Sequence, residues 1–522
     1  MLKRDIKRWG LVLIMVNSII GAGIFGLPSE IFAISGIYSI PIIFLCALLI
    51  FVFIMIYSEV GSQFKKTGGS YLYTLEAFGE FPGFIIGWIS FIGRIVSFAA
   101  LINLLLDYLS FLNDSFTQQS IRSISILLIT AFLFITNYSG VKNSSKLINI
   151  LSISKLIPLF FFIIAGFFFI DLELIDFSTS VMPTVSDFSS TIFILIFAFM
   201  GFGVALVNTG EISNPKKDIP FAMITTCIFV AVFYALIQIV AIGTFPDLHN
   251  STKPIADAAN LFFGPMGGLI ITIGAIISIG GALNGNVLVG SRVPFALSEK
   301  NQFPQIFSKT HPKTAIPHIS LWFYSIIVIL VSMSGTFIYL LSISVICTII
   351  VYFTISAALI KLRLQNKHEN TGYKLKYGNS IAILGMIICI WLLSVADLSK
   401  LIDVFITIVV GIVIYFIFKV INKNWWEYDD EYISGWQYFG RSFVGLLLMI
   451  ILVGLYLVSV TAYKRSKSLG HSQTSCNLWA IWGFLLLPLA FTPISFLTNT
   501  IPHWYLWFSN GPGYMTNNEE NQ

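Results

Sequence analysis

Few residues of this chain carry groups that could do chemistry, and several that do lie inside apolar runs. Lys155 sits about a third of the way into the run 147–170, within Ser152-Ile153-Ser154-Lys155-Leu156-Ile157-Pro158. Arg94 lies inside the run 82–110, with no acid at i±3 or i±4 to pair it. Glu59 and Glu211 stand at the ends of apolar runs. All six histidines (His249, His311, His318, His368, His471, His503) fall in polar segments or tails, and no two make a metal spacing. Cys46, Cys227, Cys347 and Cys389 lie in apolar runs and Cys476 stands alone in a polar one; they read as small packed hydrophobes, not ligands or a disulfide frame. A membrane enzyme would need convergent His, Asp, Cys or Ser groups at one depth, and none converge. No catalysis, metal or cofactor is expected. What remains is backbone chemistry: Gly21-Ala22-Gly23 and Gly201-Phe202-Gly203 put paired glycines in mid-run. Each glycine weakens a helix by about 1 kcal/mol relative to alanine.

The elements that hold these groups follow from hydropathy. The chain has 522 residues, 56% apolar and 11% charged, with a mean hydropathy of +0.86. A soluble domain is about 25% charged, so an all-α polytopic membrane protein in a lipid bilayer is expected. Runs of spanning length sit near 11–33, 38–60, 82–110, 122–138, 147–170, 190–210, 221–245, 264–297, 318–334, 336–360, 380–396 and 401–421. These twelve form a core, 1–421. A polar linker, 422–441, leads to a hydrophobic extension, 442–522, with up to two further runs near 443–463 and 478–498. The basic start Lys3-Arg4-Lys7-Arg8 imitates a signal peptide, but its run continues through Gly-Ala-Gly into a second one and reads as span 1. About 21 Lys and Arg fall in loops on one side of the twelve spans against three on the other, so the amino terminus is expected in the cytoplasm. Lys464, Arg465 and Lys467 fit this rule only if one extra run is re-entrant or lies on the surface. With 30 Lys and Arg against 25 Asp and Glu, and these confined to loops, no continuous basic face points to nucleic acid.

Opened backbone in lipid is tolerated only where it lines a protein cavity. Gly-interrupted spans at matching places in two halves point to a transporter binding site. Here they open spans 1 and 6, so each half holds five spans, about 11–170 and 190–360, and an odd number forces the halves to be inverted. The plainer alternative is that the glycines only let helices pack closely.

Gly21-Ala22-Gly23-Ile24-Phe25 with Leu27-Pro28, Glu59-Val60-Gly61-Ser62 and Thr67-Gly68-Gly69-Ser70-Tyr71-Leu72-Tyr73 resemble the amino acid–polyamine–organocation permeases. So do Gly201-Phe202 with Glu211-Ile212-Ser213-Asn214-Pro215-Lys216-Lys217 and Ile219-Pro220, and Ser291-Arg292 with Phe303-Pro304. The resemblance spans roughly residues 5–420. It implies a five-plus-five inverted-repeat transporter that moves amino acids or related amines by alternating access. The second half-helix of span 1, opening near Gly21, Ala22 and Gly23, offers free N–H groups and a positive dipole end to a carboxylate. Carbonyls ending the first half of span 6, near Phe197 and Ala198 and followed by Met200 and Gly201, would receive an ammonium.

By family position, Phe197 is an aromatic gate and Asn286 contacts the substrate side chain; a packed phenylalanine and an interhelical amide are the alternatives. The resemblance also places at Lys155 an ammonium that replaces a structural sodium in proton-coupled or sodium-independent members, where it could carry a proton. Snorkelling to the cytoplasmic face is its alternative. Arg94 is expected to find carbonyl or cross-helix partners. Glu59 and Glu211 belong to an inner gate or loop network. Gly203 departs from relatives that carry an acid there, so that acid's role does not transfer. The missing pocket acid favours a neutral amino acid over cationic ones. The extension resembles a small bacterial membrane domain of unknown function, and a transporter-like sensor without net flux remains the rival reading. A channel is disfavoured because no filter sequence is present.

Overall fold

Each of the twelve core runs meets a helix among the described residues, because hydrocarbon leaves a backbone no partner except itself. The computed structural model describes residues 8–64, 69–139, 155–178, 181–202, 215–311, 314, 316–365 and 373–422. The longer helices among them are α1 (Arg8–Ile19), α2 (Gly23–Ser35), α3 (Ser39–Ser62), α4 (Gly69–Phe78), α5 (Glu80–Leu109), α6 (Gln119–Tyr138), α7 (Leu156–Gly166) and α8 (Val185–Phe199). They continue with α9 (Pro215–Thr244), α10 (Pro254–Gly290), α11 (Arg292–Glu299), α12 (His318–Ser332), α13 (Phe337–Leu364), α14 (Gly378–Val395) and α15 (Leu398–Asn422). No strand occurs among the described residues. Among the described residues, eight helical segments are long and apolar enough to cross a membrane, with shorter apolar helices at Arg8–Ile19, Leu156–Phe169, Val185–Phe199 and His318–Ser332. The protein is a multi-pass, all-helical membrane protein. Two compact units divide the chain, Met1–Thr407 and Ile408–Gln522. Of the second, 408–422 at the end of α15 are described; the remainder of the linker and the whole extension 442–522 lie outside the described residues.

Several hydroxyls inside the helices are satisfied locally. Ser18 donates to Ile14 O, Ser58 to Ile54 O and Ser356 to Tyr352 O, each one turn back. Small residues let helices close on one another. A Cβ on Gly26 of α2 would come within 2.7 Å of the Phe337 ring of α13 and 2.8 Å of Leu104 of α5. On α10, Gly274 receives the Pro158 ring of α7. The α5 helix threads the middle, with 78% of its most apolar window buried, whereas α6, at 17%, forms the rim.

Two boundaries differ from the hydropathy reading. The helix of span 8 begins at Pro254, ten residues before the predicted start, and bends where Gly264 takes φ 67° ahead of Pro265. Its first turns carry Asp257 among small residues, which dilutes the hydropathy signal. The stretch Gly69–Phe78, read only as a motif, is a helix of its own. Its Tyr71 hydroxyl donates to Gln302 Oε1 at 2.9 Å, and burial pushes that phenol up to about 12.

Candidate functional site

The paired glycines produce two chain breaks, and the breaks meet. α1 ends at Ile19 and α2 begins at Gly23, so 20–22 are non-helical. α8 ends at Phe199, and Met200 is extended (φ −65°, ψ 157°). Gly201 takes φ +113°, where L side chains are strained, and a Cβ there would strike the Ser18 carbonyl. A Cβ on Gly23 would come within 3.1 Å of Ala198 Cα and 3.2 Å of Phe197 Cδ1. Phe197 therefore lies on the first turn of α2, with its ring edge-on to Phe337 at 6.4 Å. Gly21, Ala22, Gly23, Phe197, Ala198 and Gly201 are thus brought together, with half-buried Met200 between the last two.

The unpaired backbone groups at these breaks have opposite polarity. α2 starts without a side-chain cap. Among the described residues, the N–H groups of 21–23 find no acceptor, as the first turn of a helix requires. They sit at the positive end of the α2 dipole and suit a carboxylate. Gly21 is the open position, since a Cβ there would meet only Ile19 O, at 3.7 Å.

The carbonyl ends of α1 and α8 are already held. Lys155 Nζ donates to Asn17 O at 2.6 Å, and the residue is 7% exposed. An ammonium on the last turn of a helix offsets the negative end of its dipole. Its head thus turns inward to α1 rather than out along the helix. The Tyr234 hydroxyl of α9 lies 2.9 Å from Ala198 O and 3.2 Å from Ile19 O, one donor facing the ends of both half-helices. Phe197 O accepts from Met200 N–H at 3.3 Å. Each carbonyl keeps a second lone pair, so an ammonium can still be received. Tyr234 is one of twenty tyrosines, and its only sequence signal is a polar tip in the run 221–245. Tyr234→Phe should destabilise the protein by about 1–3 kcal/mol through the bared carbonyls. A thermal midpoint in detergent checks this; an unchanged value would mean the hydroxyl bridges nothing of consequence.

Other expected residues lie apart. Asn286 on α10 is half-buried, while the engaged amide there is Asn284, whose Oδ1 accepts from Asn137 Nδ2 at 2.7 Å. Half-buried Gly280 and Gly285 on the same helix have nothing within 4 Å of an added Cβ, so α10 borders open space. Glu59 is at the end of α3, where Arg363 of α13 grips it in a fork, Nε to Oε1 and Nη2 to Oε2, both 2.7 Å. Leu375 N–H adds a third donor at 2.9 Å. Glu211 lies outside the described residues. Among the described residues the Arg94 side chain makes no hydrogen bond or ion pair, and its backbone O accepts from the cross-helix Tyr324 hydroxyl at 3.4 Å.

The Amino acid permease family profile matches residues 6–418. The serine/threonine exchanger SteT of Bacillus subtilis is 31% identical over 71% of this chain and 86% of its own. A methylthioribose transporter of the same organism is 25% identical over 80% and 94%, respectively. A putative arginine/ornithine antiporter of Escherichia coli is 27% identical over 69% and 83%. A profile covering most of the chain, similar transporters, and membrane-length helices interrupted at two meeting breaks lead to one conclusion: the chain belongs to the amino acid permease family, a multi-pass membrane transporter of amino acids and not an enzyme.

Proposed function

We propose that this protein moves neutral amino acids across a cytoplasmic membrane by alternating access, as a proton-coupled transporter or an exchanger. The observation that carries the reading is the meeting of the two breaks, which opposes free N–H groups on α2 to the carbonyl end of α8. A zwitterion needs both, and neither end uses a side-chain charge. The similarity to a serine/threonine exchanger makes small neutral amino acids the first to try. Spans 1–5 and 6–10 form inverted repeats in this reading. Gly21, Ala22 and Gly23 hold the carboxylate, Phe197, Ala198, Met200 and Gly201 the ammonium side, and Asn286 reaches the substrate side chain. Lys155 supplies the coupling, and Glu59 with Glu211 belongs to the inner network.

A thermal-shift screen of the purified protein against the twenty amino acids tests it. A small neutral amino acid should give the largest stabilisation, and Gly21→Val should remove that shift while keeping the unliganded midpoint. Gly23→Val is the poorer probe, because its Cβ also pushes on Ala198 and Phe197. Full stabilisation of Gly21→Val would take the site away from span 1. The excess of basic loops on one side supports an amino terminus in the cytoplasm. A cysteine at Asn250 should then react with an impermeant thiol reagent from outside, and one at Asn370 should not. The reverse labelling would invert the orientation.

A further inference from the structure

Ser291-Arg292, one of the sequence motifs, takes no part in the two breaks. It closes α10 and opens α11, beside a cavity of about 120 Å³ that reaches the end of α6 and the start of α12. Asn137, Ser291, Arg292 and Thr310 supply its polar lining, and Ile316 and Leu321 belong to its apolar wall. A single water needs only about 10–15 Å³, so a group the size of a phosphate fits. Arg292 and Thr310 are exposed, which gives the cavity an open mouth. Its frame is tight. Asn137 of α6 donates to Asn284 of α10 at 2.7 Å, and a Cβ on Gly290 would collide with the Tyr324 ring of α12. The α12 helix begins beside the cavity at His318 without a side-chain cap, and the positive end of its dipole adds to the guanidinium.

The surroundings of the mouth are those of a lipid boundary. On α6, Ile124, Leu128 and Ile135 are exposed along one side, and on α12 Trp322, Ile326 and Leu330 recur every fourth residue, also exposed. Both apolar stripes run up to the cavity, since Ile135 lies two residues before Asn137 and Trp322 follows Leu321. The Trp322 ring packs on Phe134 at 4.3 Å, and Tyr138 stacks on the same Phe134 at 5.7 Å. Trp and Tyr gather at headgroup depth. Lys300 and Lys309 join Arg292 in the loop between spans 8 and 9, making this the basic end of the helices.

We propose that this cavity seats the phosphodiester headgroup of an anionic phospholipid, with Arg292 and the start of α12 on the phosphate and the acyl chains along α6 and α12. Basic pockets between membrane helices suit such headgroups, and a guanidinium fork matches phosphate oxygens in pairs. A zwitterionic headgroup brings its own cation to the same basic end and is disfavoured. The site goes beyond the transport reading and does not depend on the substrate.

Native mass spectrometry of the full chain in detergent, with phosphatidylglycerol and phosphatidylcholine of identical acyl chains as probes, tests it. The wild type should bind phosphatidylglycerol about tenfold or more tighter than phosphatidylcholine. Arg292→Gln should cut that preference to within about twofold, while Lys300→Gln, at an exposed position outside the cavity, keeps it. An undiminished preference in Arg292→Gln would overturn the site, as would equal affinities of the two lipids for the wild type. A large excess of inorganic phosphate should leave the lipid bound; displacement would overturn the lipid as occupant in favour of a free phosphate. A measurement on the wild type guards against misfolding of the variant. Phenylglyoxal modification of Arg292, read by peptide mass spectrometry, should be slowed by phosphatidylglycerol and not by phosphatidylcholine. Equal modification in the two lipids would contradict the proposal.

Discussion

Lys155→Ala should reduce uptake driven by an imposed pH gradient to background while leaving substrate binding measurable. The ammonium sits on Asn17 O at 2.6 Å, in the last turn of the half-helix that ends where the substrate carboxylate would bind. It joins α7 to α1 through one charge-assisted bond, of about 1.5–3 kcal/mol. Losing the proton removes the charge that the end of α1 attracts, and the tie between the two spans loosens. Protonation and the position of α1 are thereby linked, and a proton gradient can bias the cycle. In the proposed reading no sodium requirement is expected, because the ammonium on Asn17 O would stand in for a bound cation. Flux into proteoliposomes under a pH gradient, then under a sodium gradient at constant pH, checks both points. Unchanged pH-driven uptake in Lys155→Ala would reduce Lys155 to a packing residue and leave an ungated exchanger as the better account.

Arg363→Gln should be the most destabilising substitution away from the breaks. Glu59 is 1% exposed and receives three donors, two from Arg363 and one from Leu375 N–H. Arg363 also donates to Leu375 O at 2.8 Å, so the pair ties α3, α13 and the segment before α14 together. Removing one partner of a buried ion pair leaves a charge that the site cannot solvate, at about 3–5 kcal/mol. A marked fall in the thermal midpoint in detergent is therefore expected. The double variant Glu59→Gln/Arg363→Gln should recover much of it, since two neutral amides need less solvation. An Arg363→Gln midpoint equal to that of wild type would mean water already reaches Glu59. Gly378 supports the clamp by leaving room, for a Cβ there would collide with the Arg363 guanidinium.

How much of this could be read from the chain depends on the range of each interaction. The spans were legible because about 20 apolar residues in a row have few other uses. The breaks at 20–22 and 200–201 were legible because glycine pairs in mid-run have a local cost that must be met locally. Depth and lack of helical partners marked Lys155 and Arg94 as unusual. The partners themselves were not legible. Glu59 meets Arg363 across 304 positions, and Arg363 had counted only as one of many loop cations. Tyr234 could not be told from other tyrosines until α9 was seen to pass both half-helix ends. The α10 start at Pro254 was hidden by a kink at Gly264 and a first turn too polar for a hydropathy threshold. Asn286 was favoured on family position, and the bond of Asn284, two residues away, with Asn137 had no local signal.

Counterflow in proteoliposomes tests the central claim most directly. Vesicles containing the purified protein, preloaded with unlabelled L-serine and diluted into trace labelled L-serine, should accumulate label transiently. Gly21→Val vesicles should stay at the level of protein-free ones. Labelled serine that binds the wild type but never enters the vesicles would contradict alternating access and favour a transporter-like sensor.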